Sequence, residues 1–212
     1  MSEIYKLGPA LVLYGNPTIA AGAGMEFLGH VRGEITINPN INISFGRVDA
    51  RGMLPMASAV YNSGSAPVAN VPFVDEEINR LKALLPGSSI ITAGGLDALT
   101  FGAGVKRIDI TEIKTLCIIP VDEIAEGTNG IDAPMAWWFP RAITTQFGAI
   151  RFSLPEGDDS LNNKTRDTQI ASLYHPTDMG GGAVPAAARA GFRGSPTAVG
   201  LTWLLPDLSA FV

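Results

Sequence analysis

Few side chains in this chain have the types that chemistry needs, and their spacing joins none of them into a working group. His30 and His175 are the two histidines, and neither sits in H-x-H or H-E-x-x-H spacing. A metal site would require the fold to bring both to one carboxylate. The plainer expectation is a solvated strand residue at His30 and a strand-end residue at His175, before Pro176. The single cysteine, Cys117, excludes an internal disulfide. It lies between Leu116 and Ile118, and a reactive thiolate needs a cationic or helix-terminal setting, so a buried inert thiol is expected. There is no G-x-S-x-G elbow and no P-loop. Gly22-Ala23-Gly24 opens a G-x-G, but Phe27 takes the third glycine position, which leaves a flexible loop. Asp158-Asp159 lacks the ladder of oxygen ligands a calcium loop requires and reads as a polar turn. Trp137-Trp138 suggests a carbohydrate platform, yet adjacent strand residues face opposite ways. Packing in a core or subunit interface is the better reading. This inventory predicts no catalytic residue, no metal and no cofactor, hence not an enzyme.

The elements say more than the reactive groups. From Val31 to Phe45 apolar and polar residues alternate almost without a break. Ile35, Ile37, Ile41 and Ile43 fall on one face, as candidates for a sandwich core or a subunit interface. Thr36, Asn38, Asn40, Asn42 and Ser44 fall on the other. Period-two alternation is the signature of a strand with one dry and one wet face. The run exceeds the ~5–6 residues of a common strand. It implies either a hairpin bent near Pro39 or a strand reaching past one small domain. The uncharged stripe reads either as an ordinary wet sheet face or as the wall of a water-filled tube.

Around this run, Ala10 to Tyr14 is expected as a short strand, and residues 48–73, rich in Gly and Pro, as a long loop. A helix is expected over residues 75–86. Asp75 is its N-cap, Glu76 and Glu77 lie in its first turn, Ile78, Leu81, Leu84 and Leu85 form its packing face, and Pro86-Gly87 stops it. Further strands are expected in Val105–Val121, Ala136–Leu154 and Gln169–His175. Past Pro176 the chain turns small and glycine-rich before regaining bulk at Leu201–Leu205, which suggests an arm that docks elsewhere.

Composition narrows the class. Charged residues make up 17% of the 212, against a typical ~25%. Mean hydropathy is +0.22, yet no apolar run approaches the ~20 residues that cross a bilayer. A soluble chain this apolar is expected to hide surface in an oligomer. The net charge of −5 disfavours tight nucleic-acid binding, since phosphate affinity comes from Lys and Arg. No secretory signal is visible at Met1–Leu7, so the cytoplasm is the expected compartment, and the sequon at Asn163-Lys164-Thr165 is idle there.

The order of elements resembles that of the major tail tube proteins of long-tailed, siphovirus-like bacteriophages. Its points of contact are the N-terminal strand Leu11–Tyr14, the Leu28-Gly29 step into Gly33-Glu34-Ile35-Thr36-Ile37, the Gly/Pro-rich excursion, the single amphipathic helix Asp75–Leu85, and the later long strands with a C-terminal extension. The resemblance covers about residues 5–175 and rests on layout; the tail 176–212 departs from it. It implies a mainly β fold: a β-sandwich or barrel of long antiparallel strands flanked by one α-helix, as residues 1–175, with 176–212 as a C-terminal arm or small extension. Type VI secretion tube proteins share this architecture.

In function, the resemblance implies a virion subunit assembled in the host cytoplasm. Its homo-hexameric rings would stack into a tube that holds a tape measure protein, passes DNA on ejection, and meets tail terminator and tail tip proteins at its ends. No membrane partner is implied. The even-numbered residues Thr36 to Ser44 would face the lumen, and the odd-numbered isoleucines would pack inside. The competing readings are another virion β-sandwich (a capsid decoration protein, or a ligand-binding module using the Trp137 region) and a cupin-like oxygenase with metal on His30 and His175.

Overall fold

In the computed structural model the described residues are 10–18, 24–29, 31, 33–47, 55–74, 77–101, 107–109, 112–120, 136–148, 166–173, 184–203, 205, 206 and 208. They are mainly β, with a single α-helix among them. The strands are β1 (Ala10–Gly15), β2 (Met25–Phe27), β3 (Thr36–Asn38), β4 (Ile41–Arg47), β5 (Pro55–Ser65) and β6 (Val68–Phe73). Helix α1 (Ile78–Leu84) follows, then β7 (Ser89–Ala93), β8 (Leu96–Thr100), β9 (Lys114–Pro120), β10 (Trp137–Gln146), β11 (Arg166–Ser172) and β12 (Phe192–Arg193).

The main sheet runs β2-β1-β9-β10-β11-β6-β3, antiparallel throughout, with β12 added to β10. Its two ends are consecutive pieces of one stretch of chain. β2 pairs with β1, the Leu28 amide donates to the Val12 carbonyl (2.9 Å), Val31 bridges Phe73, and β3 pairs with β6. The segment from Met25 to Asn38 therefore holds β1 at its start and β6 at its end, and the sheet curls round to meet itself. A small closed sheet fills its interior with side chains. Here these are Val12, Tyr14, Leu116, Ile118, Phe139, Ala142, Ile170, Ala69, Val71 and Phe73, with Leu84 of the helix and half-buried Ile35 and Ile37 against them.

The alternate residues of β1, β9 and β10 point outward and are also dry. Leu11, Leu13, Cys117, Ile119 and Trp138 pack beneath Val184, Ala188, Leu201, Trp203, Leu205 and Leu208. Burial on both faces explains the unbroken apolar runs of β1 and β9. It also corrects the expectation of an arm docking elsewhere, because the described part of the tail lies on this chain's own sheet.

Two further expectations are revised, the loop and the helix, and of the two readings of the long run the structure takes the bend near Pro39, without a hairpin between its halves. Residues 55–73 are not a loop but strands β5 and β6. β6 accommodates Pro72 because β3 pairs only with Val68 to Asn70. The long alternating run is broken at Pro39-Asn40, opposite Ala66-Pro67, where neither proline can donate a hydrogen bond. Asn40 takes φ 44° there, which asparagine tolerates. Beyond the break β4 and β5 form a separate two-stranded ribbon. The helix is shorter than expected: Asp75 and Glu76 lie outside the described residues, Glu77 is the N-cap without a side-chain capping bond, and no acidic residue occupies the first turn. Leu84 is buried, and Ile78, Leu81 and Leu85 are half-buried. Gly87, at φ 80°, completes the stop.

Candidate functional site

The outward face of β3, β6, β11 and the far end of β10 is the part of the barrel wall left wet. Register places Thr36 opposite Asn70, Asn70 opposite Gln169, and Gln169 opposite Gln146. The side chains join along this line. Thr145 Oγ1 donates to Gln169 Oε1 (3.3 Å), Gln169 Nε2 to Asn70 Oδ1 (3.4 Å), and Asn70 Nδ2 to Thr36 Oγ1 (3.1 Å). The result is an uncharged hydrogen-bonded row crossing four neighbouring strands. Each amide spends one donor on its neighbour and keeps another for water.

The described outward positions beside the row carry no positive charge. Outward positions on these strands, by the two-residue rule, are Thr36 and Asn38, Val68, Asn70 and Pro72, and Asp167, Gln169 and Ala171. They include no Lys or Arg, and the one ionisable group, Asp167, is exposed. Gly148 lies so close to the β11 backbone that a Cβ there would stand 2.9 Å from the Asp167 amide nitrogen.

Of the five expected lumen-facing residues, Thr36 joins the row. Asn38 and Asn40 instead hold the break in the long strand: Asn38 Oδ1 accepts from the Asn40 amide (3.1 Å), and Asn40 Nδ2 donates to the Ala66 carbonyl (3.0 Å). Asn42 and Ser44 are exposed on the ribbon beyond. The isoleucines divide in the same way. Ile35 and Ile37 are half-buried against the interior, whereas Ile41 and Ile43 are 58% and 55% exposed. Only the first pair supports a core role. Sequence reading did not single out Asn70, Gln169 or Thr145, because a cross-strand row depends on register between distant segments.

The other candidates resolve plainly. Trp138 is buried among Phe192 and Trp203, with ring centroids 6.2 and 5.5 Å away. Trp137 is half-buried with the Arg193 guanidinium 5.7 Å over its ring. The pair therefore presents no stacking platform. Cys117 is fully buried, and burial pushes its thiol well above the ordinary range. His30 and His175 lie outside the described residues. Among the described residues no group of three His, Cys, Asp or Glu is placed to hold a metal ion, and no helix is long and apolar enough to cross a membrane.

One small pocket, about 120 Å³, lies between β1, β2 and the helix and includes Tyr14, Glu26, Glu77, Arg80 and Lys114. Three of its charges are engaged: Glu77 pairs with Arg80 (3.0 Å), Arg80 sits over Phe27 (5.3 Å) and Lys114 over Tyr14 (6.0 Å), while Glu26 is exposed. The Tyr14 hydroxyl donates inward to the Ala142 carbonyl (2.9 Å), and burial pushes its pKa up to about 12. No protein-family model matches this sequence, and no curated protein matches it.

Proposed function

We propose that this chain is the structural subunit of a phage tail tube, assembling into stacked hexameric rings that form a conduit for DNA ejection. The observation that carries this reading is the uncharged row Thr36–Asn70–Gln169–Thr145 on a wet face of the barrel. A channel wall must not hold the polymer that slides along it. Phosphate affinity comes from Lys and Arg, which the described outward positions of these strands lack, and the chain is acidic overall at −5. Side chains that satisfy one another and water have little to gain from a passing ligand. Two-stranded ribbons with exposed isoleucines give such a subunit material for contacts with its copies.

In this reading the ring holds a tape measure protein before DNA enters, and its ends meet tail terminator and tail tip proteins. The subunit is made in the host cytoplasm and ends in the virion. It catalyses no reaction and needs no cofactor. The alternative of a ligand-binding module is weakened, since Trp138 is buried and Trp137 is half-buried beneath Arg193. Negative-stain electron microscopy of the purified full chain tests the proposal. Rings or hollow tubes are expected; compact single particles at all concentrations would refute it.

A further inference from the structure

Exposed large apolar side chains concentrate on the two structures that the barrel does not hold. The ribbon β4–β5 carries Ile41 and Ile43 at 58% and 55% exposure, and the hairpin β7–β8 carries Ile91 and Leu96 at 57% and 77%, with Phe101 at 67% just beyond it. Each structure is a sheet of two strands only. An isolated two-stranded hairpin is at best marginal in water; helix α1 lies against β7 and β8, yet Ile91 and Leu96 stay exposed, as do Ile41 and Ile43 on the ribbon. The hairpin is tightly built nonetheless. Gly94 and Gly95, at φ 61° and 78°, make its two-residue turn, Ser89 and Thr100 hydroxyls meet at 2.8 Å, and Thr92 donates to Asp97 (2.6 Å).

Alternation puts Ile91, Ala93, Leu96 and Ala98 on one face of the hairpin and the Thr92–Asp97 pair on the other. That apolar face holds no charge. Neither β7 nor β8 carries Lys or Pro, the usual guards of an unpaired strand edge; on the ribbon such guards stand only at the end far from Ile41, where Arg47 pairs with Pro55. The parts that carry Ile41, Ile43, Ile91 and Leu96 lack them.

We propose that the β7–β8 hairpin of one copy docks on the β4–β5 ribbon of the next copy, Ile91 and Leu96 packing against Ile41 and Ile43 in a head-to-tail contact. The spacings agree. Ile41 and Ile43, two residues apart on one strand, are separated by about 7 Å, and Ile91 and Leu96, diagonal across the hairpin, by about 7–8 Å. The area agrees as well. With about 200 Å² for a fully exposed large side chain, Ile41, Ile43, Ile91 and Leu96 offer roughly 500 Å² of apolar surface, over half of the ~900 Å² that a standard interface buries. A contact between two different surfaces of one chain does not close on itself and so propagates, giving rings or filaments. The inference rests on the self-assembly proposed above and adds which surfaces meet.

The test uses two variants of the full chain, Leu96→Asp with a spoiled hairpin and Ile43→Asp with a spoiled ribbon, in sedimentation velocity. Both positions are exposed, so folding is retained, and far-UV circular dichroism checks it. Ile91→Asp and Ile41→Asp serve as replacements if either variant unfolds. Each variant alone is expected to lose wild-type assembly, with at least tenfold weaker association. An equimolar mixture retains one good hairpin and one good ribbon, so it is expected to form dimers and nothing larger. A mixture that stays monomeric, or a single variant that assembles like wild type, overturns the contact. If Leu96→Asp still forms rings or tubes, the contact is wrong while the tube reading stands; if the wild-type chain never assembles, both fall.

Discussion

Replacing Trp203 with alanine is the sharpest probe of how the tail completes this fold. Trp203 is 2% exposed, with its ring 5.5 Å from Trp138 and 5.9 Å from Phe192. Truncating a buried tryptophan to alanine costs about 3–5 kcal/mol, through lost transfer energy and the cavity left behind. The two aromatic contacts lie within that figure, at about 0.5–1.5 kcal/mol each. Its Nε1 has no hydrogen-bond partner among the described residues, so removing it recovers about 1 kcal/mol and places the expected loss near 3 kcal/mol. Against a typical stability of about 5–15 kcal/mol this is severe but survivable. Cys117 supplies a local readout, since it is fully buried in the cluster that the tail covers. If the loss appears as undocking of the tail, thiol labelling of Cys117 should accelerate by about 100-fold, as each 1.4 kcal/mol is a factor of ten. Urea unfolding and Ellman kinetics are measured on the same sample. A midpoint unchanged within error, or Cys117 labelling no faster than in wild type, would refute the packing argument.

Tyr14 gives a pH prediction. Its pKa rises from the usual 10 to about 12 on folding, chiefly by burial, so its contribution is complete below about pH 10 and falls away as pH rises from 10 to 12. Urea midpoints should show a loss of about 2–3 kcal/mol across that window, and Tyr14→Phe should flatten it. Gly15→Ala should prevent β2 from pairing with β1, because a Cβ there would stand 1.9 Å from the Gly24 carbonyl oxygen; insoluble expression or a collapsed melting temperature checks this. Ile37→Asp should abolish folding or assembly by burying a charge in the barrel wall, and soluble, assembled protein would contradict the phase assigned to β3. Gln169→Lys should leave assembly intact but slow DNA passage in an ejection assay, and unaltered ejection would count against the row lining a lumen.

What could be read from the residues, and what could not, follows from how local the governing forces are. The alternation of Ile35, Thr36, Ile37 and Asn38 specified the inward and outward faces of β3, because strand geometry is local. Beyond Asn40 the core half of the reading does not apply. Ile41 and Ile43 keep the phase, but the proline-flanked break carries them off the barrel, which leaves them the subunit-interface alternative. β5 was opaque because its residues PMASAVYNSGS are mostly small and show no clean period; pairing with β4 makes it a strand. The tail held a usable signal, since Leu201, Trp203 and Leu205 alternate and all are buried. The glycines before them drew attention to freedom of the chain, not to the apolar face waiting on β1 and β9. The candidate row lay furthest from reach. Thr36, Asn70, Thr145 and Gln169 come from four separate segments, and only strand order and register bring them into line.

A reconstruction of the assembled chain by electron cryomicroscopy tests the central claim most directly. The account predicts a sixfold ring around an open channel, with Thr36, Asn70, Gln169 and Thr145 on the channel wall. A solid assembly, a row turned to the outer surface, or a chain that stays single at every concentration would contradict it.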